Sequence, residues 1–257
     1  MHLRSSAAVN PEEPPSASQV ALSSDLTPEA LQAALRGRPV RSYAALVSTG
    51  SAAHGWARDG APDGAVVIAE HQISPRGHAG RPLNDMPGEG VGLSLVMRPS
   101  LPAAREGWLY TLVLTGLADV LGEGSTLKWP DEVRVGGSVA AAVGISTQLE
   151  EAGHEIRWAI VDVLLASAAR PRGRRIAAVL EAIDARAADA PEAVLRDYAR
   201  VCETLGRQVR ARLRAGTGPS VEGRALEALE DGALVLEMSG GLKAPVRPQD
   251  VRRLEAL

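Results

Sequence analysis

The chain has 257 residues, with 28 basic and 31 acidic side chains, a formal net charge of −3 and a pI near 6.0. This near-neutral balance, without a block of lysine and arginine, argues against nucleic acid as a main partner. No apolar run approaches the roughly 20 residues of a membrane span, and the N-terminus lacks the layout of a signal peptide. The lone cysteine, Cys202, cannot form an intrachain disulfide. The sequence therefore predicts a cytoplasmic protein with neither membrane nor nucleic acid as a partner.

The first part of the chain predicts a tail, then a helix and strands. Residues 1–26 are rich in Ser, Pro, Ala and Glu without an apolar period, and a disordered tail is predicted there. Thr27 followed by Pro28 predicts the start of a helix that extends to Leu35, because threonine is a good N-cap and proline suits the first helical position. Apolar runs over 65–69 and 91–96 predict two strands.

The middle of the chain mixes helices and strands. Apolar residues at spacings of three and four predict a helix from Trp108 to Leu121, and Gly136-Gly137 predicts the turn of a hairpin. Further patterns predict a strand over 156–165 and helices over 174–187 and 191–212. This alternation predicts an α+β domain.

The last forty residues predict a second, smaller domain. Short strands are expected over 222–229, 233–238 and 242–246, separated by turn residues. So short a segment cannot bury a large core of its own, and we expect it to pack on the domain before it. The predicted organisation is thus a tail over 1–26, a main domain over 27–215 and a small β-barrel over 216–257.

Four motifs occur in order along the chain. They are Val47-Ser48-Thr49-Gly50, a strand ending in Gln72, the loop Ser74-Pro75-Arg76-Gly77-His78-Ala79-Gly80-Arg81, and Lys128-Trp129-Pro130-Asp131-Glu132. Any one of them alone is weak, but the set resembles biotin protein ligases, the biotin/lipoate protein ligase catalytic domain family. The resemblance covers residues from about 41 to the C-terminus and is to the type without an N-terminal DNA-binding domain.

The resemblance implies a fold and a reaction. The implied fold is a class II aminoacyl-tRNA synthetase-like domain with a mixed sheet and helices, followed by an SH3-like barrel. The implied reaction uses ATP and Mg²⁺ to activate the carboxylate of biotin as an adenylate. A lysine of a biotin carboxyl carrier protein domain then accepts the acyl group. Related ligases can also form a homodimer through the sheet.

The resemblance also implies roles for individual residues. The implied catalytic residues are Arg76 and Lys128. Biotin binding is implied for Ser48, Thr49, Gln72 and Arg76. Nucleotide binding is implied for Gly77, His78, Gly80, Arg81 and Asp131. A glycine- and arginine-rich loop suits this chemistry, because glycines permit close backbone approach and guanidinium groups pair with phosphate or carboxylate oxygens. The histidines and the cysteine match no metal-ligand spacing, so no metal site is predicted in the protein itself.

Several positions depart from the family pattern. Pro75 replaces a glycine, His78 replaces an arginine, and Val139 stands where the family has a lysine beside the reacting carboxylate. Loss of one preorganised donor costs on the order of 10²- to 10³-fold in rate. The strand over 158–165 also lacks the two glycines of the family's Gly-Ile-Gly-Ile-Asn run.

Two functions remain open at this point. An active ligase needs Arg76 and at least one further cation converging beside Ser48, Thr49 and Gln72. A catalytically inactive pseudoligase, which binds a ligand or partner, predicts a pocket narrowed by Pro75, Val139 and Leu83. Lipoate ligation is a third alternative. Structural interpretations also stand: Ser48 and Thr49 can cap a helix near Ser51, and Arg76 and Arg81 can be solvated loop charges.

Overall fold

The computed structural model describes residues 21–83, 90–214 and 220–257. The helices are α1 (Pro28–Ala34), α2 (Thr49–Arg58), α3 (Trp108–Leu121), α4 (Arg172–Ala188) and α5 (Pro191–Val201). The strands are β1 (Val40–Leu46), β2 (Val66–Gln72), β3 (Val91–Met97), β4 (Ser125–Lys128), β5 (Glu132–Val135), β6 (Ser138–Leu149), β7 (Ile156–Leu165), β8 (Gln208–Leu213), β9 (Ser220–Ala228), β10 (Leu234–Glu237), β11 (Lys243–Val246) and β12 (Val251–Ala256). The predicted α+β class is confirmed.

A seven-stranded mixed sheet forms the larger part of the fold, in the order β1-β2-β3-β7-β6-β5-β4. Strands β1 and β2 are parallel, and the other neighbours are antiparallel. Because side chains alternate along a strand, each central strand serves two faces. Leu93 of β3 and Val161 of β7 enter the main core with the buried helix α3, whereas Ile160 packs with Ala53 of α2 on the opposite face. Helix α2 thus begins above the middle of the sheet.

The second sheet has five strands in the order β11-β10-β9-β8-β12, and every pair in it is antiparallel. This arrangement fits a C-terminal SH3-like domain. It contacts the larger sheet through Trp129, whose indole N–H donates to the carbonyl of Gly232 at 3.1 Å. The small domain therefore packs on the larger one through the tryptophan of the Lys-Trp-Pro motif.

The prediction of one helix over 191–212 is wrong beyond Val201, where α5 ends. Gly206 adopts a φ of 80°, and β8 begins at Gln208. Strand β8 alternates buried Val209 and Ala211 with more exposed neighbours and pairs with both β9 and β12. The second sheet thus begins before residue 216, and the limits 27–215 and 216–257 remain predictions.

Residues 21–26, which the sequence assigns to the tail, are among the described residues. Residues 1–20 of the predicted tail lie outside the described residues, but Ser24–Leu26 form a 3₁₀ turn in which Leu26 is fully buried. Thr27 caps α1 as predicted, accepting a hydrogen bond from the amide of Ala30 at 3.3 Å. Within the described ranges, no helix is both long and apolar enough to cross a membrane.

A fully buried arginine holds this N-terminal segment to the sheet. The guanidinium of Arg172, at the start of α4, donates to Asp25 at 2.9 and 3.0 Å and to Glu70 of β2 at 2.9 Å. The hydrogen bond from Arg172 lowers the pKa of Asp25 to about 2. Burial works against ionisation of Glu70, but Arg172 offsets it and the pKa of Glu70 is lowered. Both carboxylates therefore depend on one cation.

We expect Arg172→Leu to destabilise the protein by about 3–5 kcal/mol, because removing one partner of a buried ion pair leaves the other charges uncompensated. Urea unfolding at pH 7 measures the free-energy difference. Arg174→Leu is the matched control, since Arg174 is exposed on the same helical turn. Equal stability of the two variants would contradict this role of Arg172.

Candidate functional site

The candidate site begins at the N-terminus of α2. Ser48 is the N-cap, and its hydroxyl accepts a hydrogen bond from the amide of Ser51 at 3.2 Å. The capping interpretation of Ser48 is therefore confirmed. Capping does not exclude ligand binding, because a helix N-terminus favours a negative charge nearby.

Thr49 and Gln72 form a buried polar pair. The side-chain oxygen of Gln72 accepts from the Thr49 amide at 2.8 Å and from the Thr49 hydroxyl at 2.9 Å. A Cβ on Gly92 would lie 1.9 Å from the Gln72 amide nitrogen. Glycine at 92 therefore lets the side chain of Gln72 lie directly over β3. The structure thus brings together two of the residues assigned to biotin binding.

Two residues that the sequence analysis did not single out as site residues extend this pair. The hydroxyl of Ser94 on β3 lies 2.7 Å from the Thr49 hydroxyl and 2.5 Å from a carboxyl oxygen of Asp162 on β7. Ser94 and Asp162 are direct cross-strand partners. Burial raises the pKa of Asp162 to about 7, against the smaller opposing effect of the Ser94 hydrogen bond. The one sequence signal was an aspartate within the apolar run 158–165.

The loop that follows β2 closes over the same face of the sheet. The Gly77 amide donates to the Arg81 carbonyl at 2.8 Å, and the Leu83 amide donates to the Pro75 carbonyl at 3.1 Å. A Cβ on Gly144 of β6 would lie 2.9 Å from the carbonyl carbon of Gly77. Glycine at 144 therefore permits the loop backbone to rest directly on β6.

The three cations predicted for the site differ in whether they pair with a carboxylate. Arg76 is exposed, and its described contact is a 3.4 Å hydrogen bond to the Gly80 carbonyl. Arg81 forms an ion pair with Asp131, and Lys128 lies 3.4 Å from Glu132. Burial raises the pKa of Asp131 to about 6, although Arg81 acts in the opposite direction. Within the described residues, Arg76 is the one of these three cations without a carboxylate partner.

Comparisons with known proteins bear on this arrangement. No protein-family model matches the chain. It is 29% identical over 201 residues to the biotin--[acetyl-CoA-carboxylase] ligase of Mycobacterium tuberculosis, a match that spans 69% of this chain and 75% of that protein. It is also 29% identical over 137 residues to the bifunctional ligase/repressor BirA of Bacillus subtilis, covering 52% of this chain and 42% of BirA. The chain therefore matches less than half the length of BirA.

Solved structures share the fold. The biotin protein ligase from Aquifex aeolicus in complex with biotin and ATP superposes with a TM-score of 0.66 at 16% identity, over 86% of this chain and all of that one. In sequence and in fold, the chain is similar to biotin protein ligases. A Helicobacter pylori biotin acetyl coenzyme A carboxylase synthetase with bound biotinylated ATP has a TM-score of 0.58 at 18% identity, over 81% of this chain and 99% of that one.

Against this family pattern, Val139 lies at the exposed start of β6, with 40% of its surface accessible and Arg134 opposite it on β5. Pro75 is buried, and Leu83 side-chain carbons lie 3.0–3.2 Å from the place a Gly77 Cβ would take. Pro75 and Leu83 therefore pack into the loop, whereas Val139 stays on the surface. Among the described residues, no group of three or more His, Cys, Asp or Glu side chains could hold a metal ion.

His78 stands where the family has an arginine. It is a buried neutral residue that holds the loop after β2 in place through hydrogen bonds. One ring nitrogen lies 2.8 Å from the Val251 carbonyl in the small domain, and the other lies 3.0 Å from the Tyr110 hydroxyl. Since a carbonyl only accepts, Nε2 carries the hydrogen and Nδ1 accepts from Tyr110. The Tyr110 oxygen then accepts from the Ile145 amide at 3.1 Å. This chain of hydrogen bonds connects the loop with α3, β6 and β12.

Burial lowers the pKa of His78 to about 4, below the ordinary value of 6.5. Between these values the unfolded chain binds more protons than the folded one, so His78 makes stability fall as the pH drops from 7 to 5. We expect His78→Gln to be about 1–3 kcal/mol less stable at pH 7, because buried partners lose hydrogen bonds. Its further loss between pH 7 and pH 5 should be about 1–2 kcal/mol smaller than that of the wild type.

Chemical denaturation at both pH values measures this difference. His154→Gln, at an exposed histidine, is the control and should keep the wild-type pH dependence. An unchanged pH dependence in His78→Gln would show that the ring is not held neutral in the folded protein.

Proposed function

We propose that this chain is an ATP-dependent biotin protein ligase whose adenylation step is slow compared with relatives that keep the active-site lysine. The observation that carries the proposal is the pairing of Thr49 with Gln72 on the sheet face that the Arg76 loop covers. Thr49 and Gln72 supply polar groups for the ring end of biotin, and Arg76 supplies a cation for its carboxylate. The Aquifex relative, which has this fold, holds biotin and ATP.

Each group has a definite task in this proposal. Arg76 carries no ion pair to a described carboxylate, so its guanidinium can turn toward the biotin carboxylate without breaking one. The backbone amides of Gly77 and Gly80 lie in the same loop and donate to the carbonyls of Arg81 and Gly77, so these hydrogen bonds must open before either amide can bind a phosphate. Mg²⁺ would arrive with ATP and neutralise phosphate charge. The described residues offer it no cluster of ligands, so it is assigned to the nucleotide.

We expect adenylation to be slow because Arg81 and Lys128, the other two cations, are already paired with carboxylates. Arg81 must leave Asp131, and Lys128 must leave Glu132, before either can stabilise charge on the reacting phosphate. Position 139 has no cation at all. Each missing preorganised donor costs on the order of 10²- to 10³-fold in rate.

The same two ion pairs favour a second candidate function. A pseudoligase that binds biotin or a carrier domain without turnover would need no further cation beside Arg76. For the active ligase, the acceptor we propose is a lysine on a carboxyl carrier domain. A homodimer through the sheet also remains a proposal, with β1 and β4 as the two edge strands of the larger sheet.

Biotin-dependent exchange of labelled pyrophosphate into ATP tests the proposed ligase activity, because it reports adenylation without the acceptor. We expect exchange above background in the wild type and a loss of about 10²- to 10³-fold in Arg76→Ala. Arg174→Ala, at an exposed site on α4, should keep wild-type exchange. Wild-type exchange at background, in a folded protein that binds biotin, would instead support the pseudoligase.

Val139→Lys should raise the exchange rate by restoring a cation, on the order of the factor lost with one donor. Val135→Lys is a close control, because Val135 is 39% exposed on the same hairpin and Val139 is 40% exposed. The same exchange assay compares the two variants. An equal change in both would attribute the effect to general surface charge and would contradict a specific role for position 139.

A further inference from the structure

Asp162 is a carboxyl group with an unusual lack of partners. Strands β3 and β6, which flank it in the sheet, carry no charged side chain along their whole lengths. Ser94 is its one hydrogen-bond partner among the described residues, and it contacts a single carboxyl oxygen, Oδ1. A largely desolvated carboxyl group with one hydrogen bond is costly unless another donor is supplied.

The second carboxyl oxygen, Oδ2, has no hydrogen-bond partner among the described residues. Asp162 remains partly exposed, whereas its neighbours Ser94, Thr49 and Gln72 are 0%, 2% and 5% exposed. On the side of α2, a Cβ on Gly50 would lie 2.6 Å from Oδ1 and 2.8 Å from Oδ2. Glycine at 50 is therefore required to leave room for the carboxyl group. Asp162 thus lies between β3 and β6, on the face of the sheet where α2 begins.

The hydroxyl groups between Asp162 and Gln72 respond to the charge on Asp162. When the Thr49 hydroxyl donates to Gln72, the Ser94 hydroxyl must donate to Thr49, and the short contact to Asp162 then requires a proton on Asp162. When Asp162 is ionised, Ser94 donates to Asp162 and Thr49 can donate to Ser94. The charge of Asp162 is therefore transmitted to the oxygen of Gln72.

We propose that Asp162 selects the ligand of this site, by accepting a hydrogen bond at Oδ2 from an N–H group on the ligand's ring end. This inference rests on the proposed function, and it narrows the substrate to carboxylic acids with an N–H donor in the ring. The cyclic urea of biotin has such donors, whereas the dithiolane ring of lipoic acid has none. The lipoate alternative would place an apolar ring against an unpaired carboxyl group, which is unfavourable.

Few other groups near Asp162 titrate around neutral pH. The charged or titratable residues on the described elements packed against it are His54 and Arg58 on α2, Arg157 on β7, and Arg76, His78 and Arg81 in the loop. Burial, and then Arg58, lowers the pKa of His54, and burial lowers the pKa of His78 to about 4, so both shifts favour the neutral ring. Since the pKa of Asp162 is raised to about 7, its acceptor becomes charged as the pH rises through 7.

Titration calorimetry with biotin and with lipoic acid, on the whole chain, tests the inference. Asp162→Leu should weaken biotin binding by about 10- to 100-fold, the loss expected for a hydrogen bond to a charged group. It should leave lipoic acid binding equal or stronger. Asp162→Asn keeps an acceptor oxygen and should bind biotin with intermediate affinity. Gln148→Ala, at an exposed position of β6, is the control and should match the wild type.

The pH dependence gives an independent measurement. Wild-type biotin affinity should rise between pH 6 and pH 8, and Asp162→Asn should lose that rise, even if Asp162→Leu fails to fold. Unchanged biotin affinity in Asp162→Leu, or an equal loss for both acids, would overturn the inference while leaving the ligase proposal intact. A wild type that binds no biotin would overturn both, whereas biotin binding without pyrophosphate exchange would overturn only the ligase activity.

Discussion

The pairing of β7 between β3 and β6 holds the core and the candidate site together. One side of β7 places Val161 and Val163 in the main core, and the other side places Asp162 among the polar groups of the site. Because side chains alternate strictly along a strand, these two sets cannot move independently. A shift in the register of β7 would bury Asp162 in the apolar core, so the stability of the core also fixes the geometry of the site.

The loop that carries Arg76 is positioned by a second set of constraints. Gly144 allows the backbone at Gly77 to lie on β6, and His78 connects the loop to the small domain through Val251. An arginine at position 78 would place a permanent charge in this buried position, at a large desolvation cost. The replacement by histidine therefore exchanges a cation of the family loop for a fixed attachment, in keeping with the slow activation that we propose.

Local signals in the sequence predicted much of the fold. Thr27-Pro28 marked the start of α1, Gly136-Gly137 marked the β5–β6 hairpin, and the predicted bounds of α3 and β7 agree with the structure. The predicted helix over 191–212 failed because β8 depends on partners that are distant in sequence, a factor that a local pattern does not contain.

Contacts in the candidate site were predicted only where the family motifs pointed to them, because they also join residues that are distant in sequence. Thr49 and Gln72 were assigned to one site from the family motifs, and the structure brings them into contact. Ser94 and Asp162 were missed, since their contact joins strands 68 residues apart. The replacement of an arginine by His78 was seen in the sequence, but its burial against Tyr110 and Val251 was not. The ion pairs of Arg81 and Lys128 were likewise visible only in three dimensions.

A crystal structure of the protein with biotin and a non-hydrolysable ATP analogue tests the central claim most directly. The account predicts that the ring end of biotin lies within hydrogen-bond distance of Thr49, Gln72 and Asp162, with its carboxylate toward Arg76. It also predicts that Arg81 remains close to Asp131 unless the nucleotide displaces it. A ring bound elsewhere, or a carboxylate directed away from Arg76, would contradict the account.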